Sequence, residues 1–240
     1  TYASGEAFVI DKTAPVIAGM TDGEHKSFCV NAILEILEDN IDTVYADGSR
    51  VYQINGKYYV YGNAEQSEQT VRITDKAGNS ITVYLLVYWD HDYDEDTFLC
   101  RRCATRAVAR ITTAEKTKYF YDIWRAFNQL WEDGYENATL TLLWDVVYDE
   151  NLNLSGGENQ TIDLNGYSLT APRLDLYGMA QKVTILSSRG TANLLTKILI
   201  TGSSVELTLG RGIGKGGEIQ HLAGKLLVYS GEYTNFTTIS

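Results

Sequence analysis

In the second half of this chain, apolar residues two apart recur at a nearly constant spacing. In TIDLNGYSLTA, residues 161–171, Ile162 and Leu164 point to one face of a strand and Asp163 to the other. Asn165-Gly166 then breaks the alternation before it resumes. Matching triplets start at positions 140, 162, 183, 205 and 226, in steps of 22, 21, 22 and 21 residues. A second series, Asn153-Leu154, Asp175-Leu176, Lys197-Ile198 and Glu218-Ile219, advances in steps of 22, 22 and 21. Two strand series sharing one period imply units that bury their apolar edges only against their neighbours, which is a solenoid.

Two solenoids compete at this period. A leucine-rich repeat has one short strand per unit, a helical or 3₁₀ return and a characteristic Asn. Here each unit has at least two strands, and the connections SGGENQ, SSRGT and GRGIGKGG are polar and Gly-rich. The spacing therefore predicts a parallel β-helix of about five coils, with Asn165-Gly166 as the turn between strands of one coil. A content of 21 Gly, 17 Tyr and only 2 Pro favours strands joined by tight turns over long helices. GRGIGKGG, residues 210–217, is expected to be a loop between coils. It lacks the Gly-Lys-Ser/Thr ending of a phosphate-binding loop, and no helix pattern follows it.

An open solenoid end exposes strand edges and needs a cover. Directly before the first coil, in YFYDIWRAFNQLWEDG, Ile123, Phe127, Leu130 and Trp131 fall on one helical stripe, with Gly134 as the stop. This predicts an amphipathic cap helix; packing on the solenoid's side is the alternative. On these motifs, Thr141 to Val146 and Thr161 to Leu169 above all, residues 105–240 resemble a segment common in large bacterial surface proteins. There a short hairpin and a helix lead into a right-handed parallel β-helix similar in fold to pectate lyases. The resemblance implies an adhesin or wall-associated repeat protein more than an enzyme.

The amino-terminal part has another texture. VYQINGKYYVYG reads as a hairpin around Asn55-Gly56. QTVRITDKAGNSITVYLLVYW reads as a second pair, with Val71 and Ile73 inward, a turn at 75–79, and Ile81, Val83 and Leu85 on the return. APVIAGM and NAILEILED add strands, so residues 1–89 are predicted to form an antiparallel β-sandwich. DKTAPVIAGMTDG and TDKAGN, within residues 8–89, resemble the opening and last hairpin of bacterial immunoglobulin-like domains. That likeness implies a spacer or binding module.

Between the two lies an acidic linker, residues 90–104, containing HDYDEDTFLCRRCA. Cys100 and Cys103 have the spacing of half a zinc site, and His91 is a candidate third ligand. The stretch also resembles the H…C-x-x-C-G linkers of the same surface proteins, with Ala104 in place of the usual Gly. A Cys100–Cys103 disulfide and two inconsequential thiols are the other readings. The latter is favoured, because the second C-x-x-C of a four-cysteine site is missing. Cys29 reads as a small apolar strand residue, and His25 four residues before it does not converge on a metal. Asp90, Asp92, Asp94, Glu95 and Asp96 offer oxygen ligands for calcium, although a solvated acidic run explains them more simply.

Function classes narrow by exclusion. A net charge of −11 opposes binding to nucleic acid or an anionic membrane surface, and no apolar run is long enough for a membrane-spanning helix. The chain opens at Thr1 and stops at Ser240 inside an alternating segment, which reads as a piece of a longer protein whose export signal and anchor lie outside it. Two outward columns are expected on the solenoid: Thr141, Asp163, Thr184, Glu206, Leu227, and Asn153, Asp175, Lys197, Glu218. Neither sets two carboxylates on adjacent coils, although Asp149 or Glu150 could meet Glu158 through loops. Trp144, Tyr148, Tyr167 and Tyr177 offer stacking surfaces for sugars, or simply cover strand edges. His221 lacks a Ser-His-Asp context.

The expectation is an all-β, non-catalytic extracellular surface protein that presents or adheres to a glycan or a surface protein. The possible cofactor is a structural zinc at His91, Cys100 and Cys103. The alternative is a polysaccharide lyase or glycoside hydrolase, or its carbohydrate-binding part, with the catalytic region outside this chain.

Overall fold

The computed structural model describes residues 11–132, 135–155, 158–178 and 181–238. The chain divides into two compact units, Thr1–Asp94 with Cys100–Ala104, and Glu95–Leu99 with Thr105–Ser240. Residues 90–94 and 100–104 of the acidic segment thus group with the first unit, and residues 95–99 with the second.

The first unit contains β1 (His25–Cys29), β2 (Asn31–Leu34), β3 (Ile41–Ala46), β4 (Ser49–Arg50), β5 (Gln53–Ile54), β6 (Lys57–Tyr61), β7 (Gln69–Asp75) and β8 (Ser80–Tyr88). A five-stranded sheet runs β1-β8-β7-β3-β4 and a three-stranded one β2-β6-β5. Ala32, Leu34 and Val60 from the small sheet share one core with Val44, Val71, Ile73, Val83, Leu85 and Val87 from the large one. Both expected hairpins form. Asn55 and Gly56 take φ of 49° and 80°, the left-handed pair that a two-residue hairpin turn needs. β7 and β8 pair antiparallel with Val71, Ile73, Ile81, Val83 and Leu85 buried. Strand β1 departs from the antiparallel pattern and runs parallel to β8.

The second unit begins with β9 (Ala109–Thr112), β10 (Thr117–Phe120) and α1 (Ile123–Gln129). It continues with β11 (Thr139–Leu142), β12 (Val146–Val147), β13 (Leu152–Leu154), β14 (Gln160–Asp163), β15 (Leu169–Leu176), β16 (Lys182–Leu186) and β17 (Ala192–Ile200). The last strands are β18 (Glu206–Leu209), β19 (Ile213–His221), β20 (Lys225–Val228) and β21 (Glu232–Thr238). One sheet has the order β10-β9-β11-β14-β16-β18-β20 and the other β12-β15-β17-β19-β21, with β13 also on β15. Every pairing from β11 and β12 onward to the next coil is parallel. This is a β-solenoid of about four turns, where five were expected.

Asn165-Gly166 performs the predicted turn, with φ of 51° and 86°. The Asn165 side chain donates to the Leu142 carbonyl of the preceding coil at 2.9 Å. A Cβ at Gly166 would lie 2.4 Å from the Arg189 carbonyl oxygen of the following coil, so this position needs glycine for closeness as well as for φ. In β15 the register shifts between Thr170 and Arg173, where Pro172 has no N–H to give to the ladder.

The helix is shorter than its sequence pattern. Asp122 caps it by accepting from the Arg125 N–H at 2.9 Å, and Ile123, Phe127 and Leu130 enter the solenoid's core. Trp131 does not join that stripe and is 42% exposed, because the helix stops at Gln129 and its period no longer applies. Gly134, the expected stop, lies outside the described residues. GRGIGKGG is not a loop throughout: from Ile213 onward it belongs to β19.

The outward columns also differ from expectation. Asp163 pairs with Thr141 and Leu186, Glu206 pairs with Lys182 and Lys225, and Asp175 pairs with Leu199. Thr117, Thr112, Thr139, Thr161, Thr184 and Thr208 instead form one row across six neighbouring strands, ending at Leu227. A slip of two residues leaves every side chain on its own face, so the alternation predicted the faces and missed the partners.

Candidate metal centre

Three cysteines and one histidine converge in the first unit. The parallel pairing of β1 with β8 sets Cys29, the last residue of β1, opposite Tyr88, and His91 follows three residues later. The chain leaves Cys29 through Val30, whose φ of 72° is uncommon for a β-branched residue and whose N–H donates to the Tyr88 carbonyl at 2.7 Å. The linker then folds back. Tyr93 bridges Cys100, and the Arg101 N–H donates to the Asp92 carbonyl at 2.8 Å.

The C-x-x-C segment is a closed turn, in which the Ala104 N–H donates to the Cys100 carbonyl at 2.9 Å. Ala104 itself has φ of 56°, the conformation for which glycine is the favoured residue.

Cys29 Sγ lies 3.7 Å from Cys100 Sγ, and Cys103 Sγ lies 3.3 Å from His91 Nδ1. All four ligand atoms fall within 4.8 Å of one another. Cys100 is buried, Cys29 and His91 are half-buried, and Cys103 is exposed. The Arg102 guanidinium sits 3.9 Å from the centre of the Tyr88 ring beside the cluster. Burial and the neighbouring cysteines push the Cys29 thiol up to about 12. Burial acts the same way on Cys100, but donors including the backbone N–H of Arg102, at 3.5 Å, and of Cys103 outweigh it and bring that thiol down to about 6. The group can hold a metal ion.

No family model, curated protein or solved structure matches this chain.

His91, Cys100 and Cys103 are brought together as the spacing suggested, and Cys29 completes the set. The signal for Cys29 was numerical: with three cysteines in the chain, the one left over supplies the missing ligand. Its partner positions lay about seventy residues away, and only the β1–β8 pairing joins them. His25 stays out, stacked on Tyr84 with Nδ1 2.7 Å from Glu68. Arg101 binds Asp92 at 3.0 Å and Asp94 at 3.1 Å, and Arg102 reaches Asp92 at 3.8 Å, so the two residues between the cysteines pair with two carboxylates of the acidic run.

On the solenoid, Trp144 faces Tyr167 at 6.1 Å and is covered by the Arg106 guanidinium at 3.9 Å. Tyr148 and Tyr167 pack against the core, while Tyr177 is 39% exposed. His221 Nε2 meets the Gly224 carbonyl oxygen at 3.1 Å. Glu158 lines a groove of about 320 Å³ with Asn159, Lys182, Ser204 and Glu206.

Proposed function

We propose that this chain is a non-catalytic part of an extracellular surface protein. In it, an immunoglobulin-like unit tied by a structural zinc precedes a capped right-handed β-helix that presents a polar face to a glycan or a surface protein. The observation that carries the reading is the row of six threonines across neighbouring strands, half-buried or exposed along its length. Neighbouring strands set such a row at about 4.8 Å intervals, a ladder of hydroxyls suited to a repeating ligand. Binding of the purified protein to a glycan array, and to extracted surface proteins, tests it. Thr161→Lys with Thr184→Lys is expected to abolish a binding signal that Thr70→Lys, on the first unit, leaves intact. Equal binding by the double variant and by Thr70→Lys would refute the ladder as the contact face.

Zinc is favoured over other cations by the donor set. Tetrahedral zinc, with sulfur at about 2.3 Å and nitrogen at about 2.0–2.1 Å, sets sulfurs about 3.8 Å apart and sulfur and nitrogen about 3.5 Å apart. The distances of 3.7 and 3.3 Å fit that cage. Four protein ligands leave no open position for substrate, which is the arrangement of a structural site. Elemental analysis is expected to find one zinc per chain, and none would overturn the assignment.

A second reading, polysaccharide cleavage, is favoured by the groove in which Glu158 and Glu206 come from different coils. Glu206 is held by Lys225 at 3.3 Å, a pairing that occupies one of its carboxylate oxygens. Release of reducing ends or unsaturated products from pectic and host polysaccharides would establish that reading in place of the first.

A further inference from the structure

Two of the three clustered sulfurs are neighbours, and the chain between them is long. Cys29 and Cys100 are 71 positions apart, with Sγ atoms at 3.7 Å, against about 2.05 Å in a disulfide. The alternative, Cys100 with Cys103, closes only the small ring of a turn already secured by the Ala104 N–H. A bond that closes a long loop removes more freedom from the unfolded chain than one that closes a short loop. Access differs among the three cysteines: Cys103 is exposed, Cys29 half-buried and Cys100 3% exposed.

We infer that the metal-free centre closes into a Cys29–Cys100 disulfide, with Cys103 as the entry point for the oxidant, so that the same four side chains tie β1 to the C-x-x-C turn in either of two states. This rests on the metal reading only in that bound metal, by occupying all three sulfurs, blocks the reaction. The surface location proposed above is where disulfide oxidants are met.

The electrons balance with a small disulfide, such as oxidised glutathione, as oxidant. The Cys103 thiolate attacks it and expels one glutathione thiolate, leaving a mixed disulfide at Cys103. Cys100 displaces the second glutathione thiolate to give Cys100–Cys103. Cys29 then attacks Cys100, forms the long-range bond and releases Cys103 as a thiol. Two protein thiols are oxidised, one glutathione disulfide is reduced to two thiols, and the two thiol protons end on the glutathione. The three sulfurs lie within 4.8 Å of one another, so each exchange needs only side-chain rotation.

The test uses the full chain. Zinc is measured, removed with a chelator and measured again; the protein is then incubated with oxidised glutathione and mapped by non-reducing peptide mass spectrometry. The expected result is a fall from three free thiols to one, a linked pair of peptides carrying Cys29 and Cys100, and Cys103 open to alkylation. Cys103→Ser is expected to slow the reaction while giving the same linked peptides. Metal-loaded protein is expected to keep all three cysteines reduced until chelated. A Cys100–Cys103 product, or glutathione retained on Cys103 with the other two thiols free, would overturn the inference. A chain that holds no zinc yet forms Cys29–Cys100 sinks the metal reading alone; one that holds zinc yet never forms the bond sinks this inference alone.

Discussion

The two units assemble chemistry in opposite ways. From β11 onward each solenoid strand pairs with the strand one coil along, and whatever the face presents is built by repetition, as in the threonines running from Thr139 to Thr208. In the first unit the chemistry is concentrated at one point, and its four side chains come from a strand end, a strand exit and a turn distant in sequence. A repeated surface tolerates the loss of one member, because its neighbours remain. A four-ligand cluster does not, because removing one ligand leaves the rest as crowded, partly charged groups.

The largest effect that would sharpen this contrast is at Cys100. With zinc bound, Cys100→Ser is expected to destabilise the first unit by several kcal/mol, since the binding free energy of a structural metal is folding free energy. Calorimetry should show the first unit's transition lowered or absent and the solenoid's unchanged. If both transitions moved together, the units would not be independent.

Next comes the solenoid's interior. Leu174 is fully buried in β15, and Leu174→Ala should cost about 2–5 kcal/mol by leaving a cavity. Denaturant unfolding should place that loss in the second unit, with zinc content unaltered.

A smaller effect follows from pH in the reduced, metal-free protein. Cys100 is lowered from 9.0 to about 6 in the folded state, so its contribution is complete above pH 9 and is lost as pH falls through 6. Cys29 is raised to about 12, so its contribution is complete below pH 9 and is lost as pH rises through 12. The first unit should therefore gain stability from pH 6 to 9 in denaturant titrations, and Cys100→Ser should flatten that rise. The solenoid carries no cysteine and should show neither feature.

The smallest change concerns Ala104. Relieving its left-handed backbone by Ala104→Gly should stabilise the first unit by up to about 1 kcal/mol, offset in part by the greater freedom of glycine in the unfolded chain. A rise in the first unit's melting temperature with no change in the second's would confirm it, and a fall would show that the turn is not strained.

Much of the molecule was legible beforehand, and the misses have definite causes. The Asn55-Gly56 hairpin and the β7–β8 pair were read correctly because their signals are local: turn residues and inward positions within a few residues of one another. The solenoid was read correctly for the same reason, repeated. Its columns were misread because Ile162 pairs with Ile185, not Val183. Alternation of period two cannot distinguish a register from one shifted by two, and unequal turn lengths made the shift. Trp131 was placed on the helix stripe because its spacing fits, but the helix ends before it. At the Cys29, His91, Cys100 and Cys103 cluster, the C-x-x-C spacing offers Cys100, Cys103 and His91 as ligands, but the missing second C-x-x-C favours two inconsequential thiols, and Cys29 reads as an apolar strand residue.

The composition and pattern of this chain were enough to require strands, tight turns, a stacked repeat and the inward or outward sense of each strand residue, since those follow from covalent geometry and local propensity. Register between coils, the length of the helix and the joining of Cys29 to the C-x-x-C turn depended on which strands found each other. That choice is made by the burial of whole faces and the closing of long loops, energies to which distant residues contribute together and which no short stretch of sequence contains.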